Sequence, residues 1–191
     1  MTSHPAPLVT IRAERADERD PVRTVVAAAF DAQVEVAGLV DALRRSSAFI
    51  PNLSLVAILD DVVVGHVLLT RAELLDNGNV RHRVLVLSPL SVRPQQQRRG
   101  VGAALVRYAL DCADTMGEQI VVLQGSPRYY PRFGFRDSRT LGISMDLPDW
   151  APFEAGMACP LSAQVPSTRG HLIESQPFID LATGQSVARR G

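Results

Sequence analysis

Apolar and polar positions change period along the chain, and each change predicts an element. Leu8 to Arg12 alternates like a strand. Asp20-Pro21 then supplies an N-cap and a first-turn proline for a helix through about Phe30. Val34 to Arg45 places Val36, Leu39, Val40 and Leu43 on one helical stripe. Leu53 to Leu59 and Val62 to Thr70 are apolar strands joined by Asp60-Asp61, a hairpin signal. Asp76 to Asn79 is a turn. Val84 to Val92 is a long strand whose Pro89 lacks a backbone donor, which predicts a bulge or an unpaired stretch. Val101 to Met116 repeats at helical spacing and stops at Gly117. Ile120 to Leu123 is a buried strand, and Pro127 starts a short helix. Phe153 to Cys159 and His171 to Ser175 are weaker strand candidates, and Gly184 to Gly191 reads as a frayed tail.

Strands interleaved with helices predict an α/β (α+β) class built on a mixed sheet. The 191 residues suit one domain, with a core from about 8 to 183. No apolar run is long enough to cross a bilayer, and the first residues carry no secretory pattern, so the expected location is cytoplasmic. Net charge is zero, which argues against a general nucleic-acid binder. Cys112 and Cys159 make neither a disulfide framework nor a metal site, and Cys112 falls on the core stripe of its helix.

The candidate chemistry sits where the long strand meets the next helix. A helix that begins in a glycine turn aims several free N–H groups and the positive end of its dipole in one direction. Gly100 and Gly102 would let a bulky anion approach, and Arg98 and Arg99 add charge. Three phosphate motifs compete. A Walker A loop needs a lysine, and this chain contains none. A dinucleotide fingerprint needs a third glycine where Leu105 stands. Gln97-Arg98-Arg99-Gly100-Val101-Gly102 instead fits Gln/Arg-x-x-Gly-x-Gly/Ala.

That loop resembles the coenzyme A pyrophosphate loop of the GNAT (Gcn5-related N-acetyltransferase) superfamily. Leu90-Ser91-Val92-Arg93-Pro94 before it, the strand Ile120 to Leu123 after it, and Tyr129-Tyr130-Pro131-Arg132-Phe133-Gly134-Phe135 further on follow in the family's order. The combination looks most like the YhbS-type branch of bacterial N-acetyltransferases, densest from Leu53 to Gly142. The resemblance implies a central, mostly antiparallel sheet splayed in the middle and flanked by helices. It implies acetyl-CoA as co-substrate, no metal, and direct attack of an amine on the thioester. Leu90, Ser91 and Val92 would meet pantetheine, with the Val92 amide the first choice as oxyanion donor. Gln97, Arg98, Arg99, Gly100, Val101, Gly102 and Ala103 would hold the pyrophosphate. Tyr130, four residues before Gly134, would be the general acid beside the coenzyme sulfur. Tyr129 is its competitor, because neighbouring residues in a helical turn point about 100° apart. Phe133 and Phe135 read as core or cofactor-wall residues, and dimerisation is common in the superfamily.

The general base is the missing part. Neither strand at the expected cleft carries a carboxylate or histidine, and Ser88, Gln124 and Ser126 are poor bases. Glu35, Asp41, His66, Glu73 and His82 are outside candidates. The acceptor, a small-molecule or protein amine, would meet variable loops at Phe30 to Glu35, Arg71 to Arg83 and beyond Gly142. Two alternatives stay open: a non-catalytic acyl-CoA-binding module, and a site for another phosphorylated ligand such as ATP or NAD.

Overall fold

The computed structural model describes residues 9–30, 34–165 and 167–183. Leu8, part of the Phe30 to Glu35 segment and the tail from Gly184 lie outside them. Four helices and nine strands follow in the order β1 (Thr10–Ala13), α1 (Arg19–Ala29), α2 (Val34–Arg45), β2 (Phe49–Leu59), β3 (Val62–Leu75), β4 (Arg81–Val92), α3 (Val101–Thr115), β5 (Ile120–Gln124), β6 (Arg136–Asp137), β7 (Ile143–Ser144), β8 (Gly156–Pro160), β9 (Gly170–Ile173) and α4 (Gln176–Ala182). All strands join one sheet, whose main path runs β1-β2-β3-β4-β5-β8-β6. β9 pairs with the far end of β3 and carries β7 on its other edge. Only β4/β5 and β7/β9 run parallel among these pairs, so the sheet is mixed and mostly antiparallel.

The hairpin between β2 and β3 turns at Asp60-Asp61, both with positive φ, 49° and 60°. That is the left-handed pair a two-residue turn between twisted strands requires, and Asp tolerates it. α3 packs on one face of the sheet, with Leu105 and Ala109 against Leu55, Ala57 and Val67. α1 and α2 cover the other face, with Val22, Val25, Val40 and Leu43 on Val56, Val63 and Leu68. Burial on both faces explains why β3 reads as an almost continuous apolar run.

The feature that positions the site is in β4. Val67 faces Leu90 and Leu69 faces Leu87, so two residues of β4, Ser88 and Pro89, oppose the single Leu68. This is the bulge expected at Pro89. β4 then pairs with β5 only at Leu85–Val121 and Val86–Val122. Past those pairs the two strands part, and the sheet opens at its centre.

Several boundaries move. α1 begins at Arg19, one residue before the expected cap, behind a 3-10 turn at Ala16–Glu18 held by the Arg12–Glu18 ion pair at 2.6 Å. Phe153–Ala155 is a 3-10 turn rather than strand, and β8 starts only at Gly156. β9 runs Gly170–Ile173 instead of His171 to Ser175.

A buried polar network ties the α2 face to the sheet. Arg44 of α2 binds Asp41 at 2.9 Å and also Glu14, just after β1. Ser54 of β2 donates to Glu14 and lies 3.0 Å from His66 Nε2 of β3. Burial, with Arg44 adding to it, pushes the His66 imidazole down to about 3. His66 is therefore neutral in the fold but charges near pH 6.5 when unfolded. Its contribution is present above that pH and is lost progressively as pH falls from 6.5 towards 3. Denaturant unfolding between pH 7 and 5 is expected to lose about 1.4 kcal/mol per pH unit below 6.5 from this group. A His66→Gln variant should show a flatter profile; an unchanged slope would assign the dependence elsewhere.

Candidate functional site

The connection from β4 to α3 is pinned at both ends. The Arg93 amide donates to the Val64 carbonyl of β3 at 2.8 Å, and the Gln97 side chain donates from Nε2 to the Val92 carbonyl at 3.1 Å. Between them Pro94–Gln96 forms a 3-10 turn. Arg98 (φ 58°) and Gly100 (φ 88°) then take left-handed backbone, and Gly100 caps α3. Glycine costs little in that conformation. The first intrahelical bond is donated by Ala104 to the Gly100 carbonyl, at 2.9 Å. The amides of Val101, Gly102 and Ala103 therefore head the helix with no acceptor inside it. No side chain caps them.

N–H groups alternate sides along a strand. The Arg93 amide points to β3, so those of Leu90 and Val92 point the other way, towards the side left open by β5. The Val92 carbonyl faces the same side and is taken by Gln97.

A cleft of about 600 Å³ runs along these groups. Leu90 and Val92 form its floor, and Gln97, Arg98, Gly100, Gly102 and Ala103 form its charged end. Ala29 and Phe30 of the α1 end, with Tyr129 and Arg132, close the other walls. A methyl carbon on Gly102 would sit 3.0 Å from the Tyr129 hydroxyl and 3.6 Å from Val92, so this wall admits little more than a bare backbone.

Five residues expected at the coenzyme are not part of this lining. Ser91 is fully buried on the opposite face of β4, directly across from His66. Val101 is 3% exposed and turns into the core under α3. Arg99 is exposed and lies outside the cleft wall. Phe133 sits behind Tyr129, edge-on at 5.4 Å, under the Arg107 guanidinium.

Tyr130 is the fifth. The two tyrosine rings are perpendicular, 5.0 Å apart, and of the two only Tyr129 lines the cleft. Tyr129 reaches the start of α3, with Arg132 stacked 4.6 Å over its ring. The Tyr130 ring lies against Gly125, just past the end of β5, where a Cβ would be 2.4 Å from its Cε2. It also packs edge-on against Phe135 at 5.5 Å. Burial, with Tyr129 adding to it, pushes the Tyr130 phenol up to about 12. Burial also raises Tyr129, against a lowering pull from Arg132 and Arg107.

None of the outside candidates for a base lines this cleft. Asp41 serves Arg44 and Arg23. Glu73 pairs with Arg81, and His82 lies 3.1 Å from Asp76. His66 is sealed in the network below the sheet, and Glu35 sits exposed in the first turn of α2. Burial raises both thiols, Cys159 to about 11, so neither is poised as a nucleophile. Among the described residues no cluster of His, Cys, Asp and Glu could hold a metal ion, and no helix is long and apolar enough to cross a membrane.

A second cavity, of about 560 Å³, opens on the other side of the gap. Val86 and Ser88 of β4 and Gln124 of β5 form its inner end. Leu39 of α2 and Phe178 and Leu181 of α4 form its sides, and Trp150 stands at its mouth. It contains a carboxylate absent from the sequence reading, Glu174, which follows β9. Burial, with Asp146 adding to it, holds the Glu174 carboxyl above the usual carboxylate range. No periodicity marks Glu174; it is carried there by the pairing of β9 with β3.

The chain is similar to several known proteins. Residues 10–137 match the acetyltransferase (GNAT) domain model. An uncharacterized N-acetyltransferase of Escherichia coli strain K12, YjhQ, is 37% identical over 123 residues, 64% of this chain and 66% of that protein. A GNAT family acetyltransferase from Brucella melitensis, solved with acetyl-CoA, superposes with a TM-score of 0.70 at 28% identity, over 90% of this chain and 98% of that one. The GNAT family N-acetyltransferase YhbS from Escherichia coli, solved with CoA, shares the fold at a TM-score of 0.80 and 24% identity, over 94% and 96% of the two chains. With a family model covering most of its length and a cleft of this form at the opening of the sheet, the chain belongs to the GNAT acetyltransferase family.

Proposed function

We propose that this protein binds acetyl-CoA along the β4 cleft and transfers the acetyl group directly to a primary amine. The observation that carries the reading is the alignment of three features in one cleft: the free amides heading α3, Arg98 beside them, and the open side of β4 leading to the gap. A helix N-terminus with an adjacent guanidinium suits a pyrophosphate. Its fit depends on the bare backbone at Gly102, where a side chain would crowd the Tyr129 hydroxyl. The outward amides of Leu90 and Val92 suit an amide-bearing arm, and one of them can donate to the oxygen on which negative charge develops. The coenzyme supplies the activated acetyl group, and the protein supplies alignment and hydrogen bonds. The relatives solved with CoA and acetyl-CoA support the same choice of co-substrate.

Calorimetric titration with acetyl-CoA tests the cradle. Wild type is expected to bind in the micromolar range, and Gly102→Glu to bind at least about tenfold more weakly, from crowding and from a negative charge at the helix start. Equal affinity in the variant would remove the cradle. Binding with no turnover across a broad amine panel would favour a coenzyme-binding module instead, and competition by ATP or NAD would favour another phosphorylated ligand.

A further inference from the structure

We propose that the second cavity is the acceptor site, and that it takes a primary ammonium carried on an apolar or aromatic body, with Glu174 holding the charged end and accepting its proton. The inference rests on the acetyltransferase reading and adds to it a substrate class and a base.

Position is the first argument. Val86 and Ser88 line this cavity, while Leu90 and Val92, further along the same strand, line the coenzyme cleft. β4 and β5 part just past Val86, and Val86 packs on the Phe178 side of the sheet whereas Leu90 packs on the α3 side. The cavities therefore approach the gap from opposite sides, which is the arrangement a direct transfer needs.

The lining is the second. Leu39, Phe178 and Leu181 make the sides apolar, and Trp150, the chain's single tryptophan, is 85% exposed at the rim. Such walls suit a hydrocarbon or aromatic body and give a polyol few partners.

Charge is the third. Among the described residues, the two ionisable groups on the lining are both carboxylates, Asp146 and Glu174, and the lining includes no arginine or histidine. Asp146 is almost wholly exposed and lies 3.6 Å from His171, whereas Glu174 is half-buried. A carboxylate withdrawn among apolar walls is costly unless a cation meets it. An ammonium does so; an anionic acceptor would be repelled.

In the reaction the Glu174 carboxylate takes one proton from the ammonium. The freed lone pair forms the C–N bond to the thioester carbonyl carbon. The C–S bond breaks and its electron pair leaves on sulfur. A second nitrogen proton ends on that sulfur, giving amide and thiol, and Glu174 returns its proton to water.

Trp150 reports on the cavity directly. Phenethylamine titrated into the full chain with coenzyme A present is expected to change Trp150 fluorescence saturably. Phenylacetate, with the same ring and the opposite charge, is expected to bind at least about tenfold more weakly. Glu174→Gln should weaken phenethylamine binding by about tenfold and slow its acetylation by about a hundredfold, with acetyl-CoA affinity unchanged. Leu181→Ser, on the partly exposed wall, should also weaken phenethylamine while sparing acetyl-CoA. A flat Trp150 signal, equal binding of phenylacetate, or an unaffected Glu174→Gln would overturn the assignment. Wild type that binds acetyl-CoA yet gives a flat Trp150 signal defeats this inference alone; wild type that fails to bind acetyl-CoA defeats the acetyltransferase reading beneath it.

Discussion

Tyr130→Phe is expected to lower turnover by about a hundredfold while leaving acetyl-CoA affinity within about twofold, the signature of a lost general acid. The neighbouring Tyr129→Phe is expected to do the reverse, weakening the coenzyme with little effect on saturated turnover. Tyr129 reaches Gly102, at the α3 end of the cleft, where its hydroxyl faces the start of the helix. The Tyr130 ring rests on Gly125, at the end of β5, where the sheet opens and the thioester must lie if the acetyl group is to reach the second cavity. A phenol pushed up to about 12 keeps its proton throughout the working range. It can donate as negative charge develops on sulfur, and would lose that ability only as pH rises through about 12. Gly125→Ala offers an independent check, since its Cβ would lie 2.4 Å from the Tyr130 ring and must displace it. Steady-state kinetics with calorimetry distinguishes the cases. Full turnover in Tyr130→Phe, together with collapse in Tyr129→Phe, would hand the acid role to Tyr129.

How far the chain could be read before its fold was known follows from the range of each interaction. The Gly100 turn, the Asp60-Asp61 hairpin and the bulge at Pro89 are local; residues within a few positions determine them, and each is where the pattern placed it. The Gln97 to Gly102 loop was legible for the same reason. Which of its residues turn outward was not, because burial of Val101 and Ser91 depends on α3 and β3 lying against them. The chain beyond Phe135 was harder still. β6 and β7 are two residues each and exist only through their partners β8 and β9. α4 is seven residues long and stands by packing Phe178 and Leu181 on the α2 side. Its Ser175-Gln176-Pro177 start was the available signal. Glu174 had none, since its value comes from a wall assembled from α2, α4 and two strands.

Arg44→Met is expected to be among the most destabilising single changes in the molecule, by about 3–5 kcal/mol, although Arg44 touches neither cavity. The Arg44 and Glu14 side chains are 5% and 6% exposed, so removing the guanidinium leaves a carboxylate buried without its cation. Ser54 would still donate to Glu14, but one neutral hydroxyl cannot replace a guanidinium. Glu14→Gln alone should be costly for the mirror reason, with Asp41 left as partial partner for Arg44. The double variant Arg44→Met/Glu14→Gln is therefore expected to be more stable than the sum of the two losses predicts, with a coupling of about 1–3 kcal/mol in urea unfolding. Strictly additive losses would show that the pair contributes only packing. The consequence reaches function through α2. Arg44 ties this helix to β1 and β2, and the same helix carries Leu39 to the wall of the second cavity. Variants that loosen the network should therefore weaken phenethylamine binding before they weaken acetyl-CoA, whose cleft is held instead by α3 and the Gln97–Val92 contact.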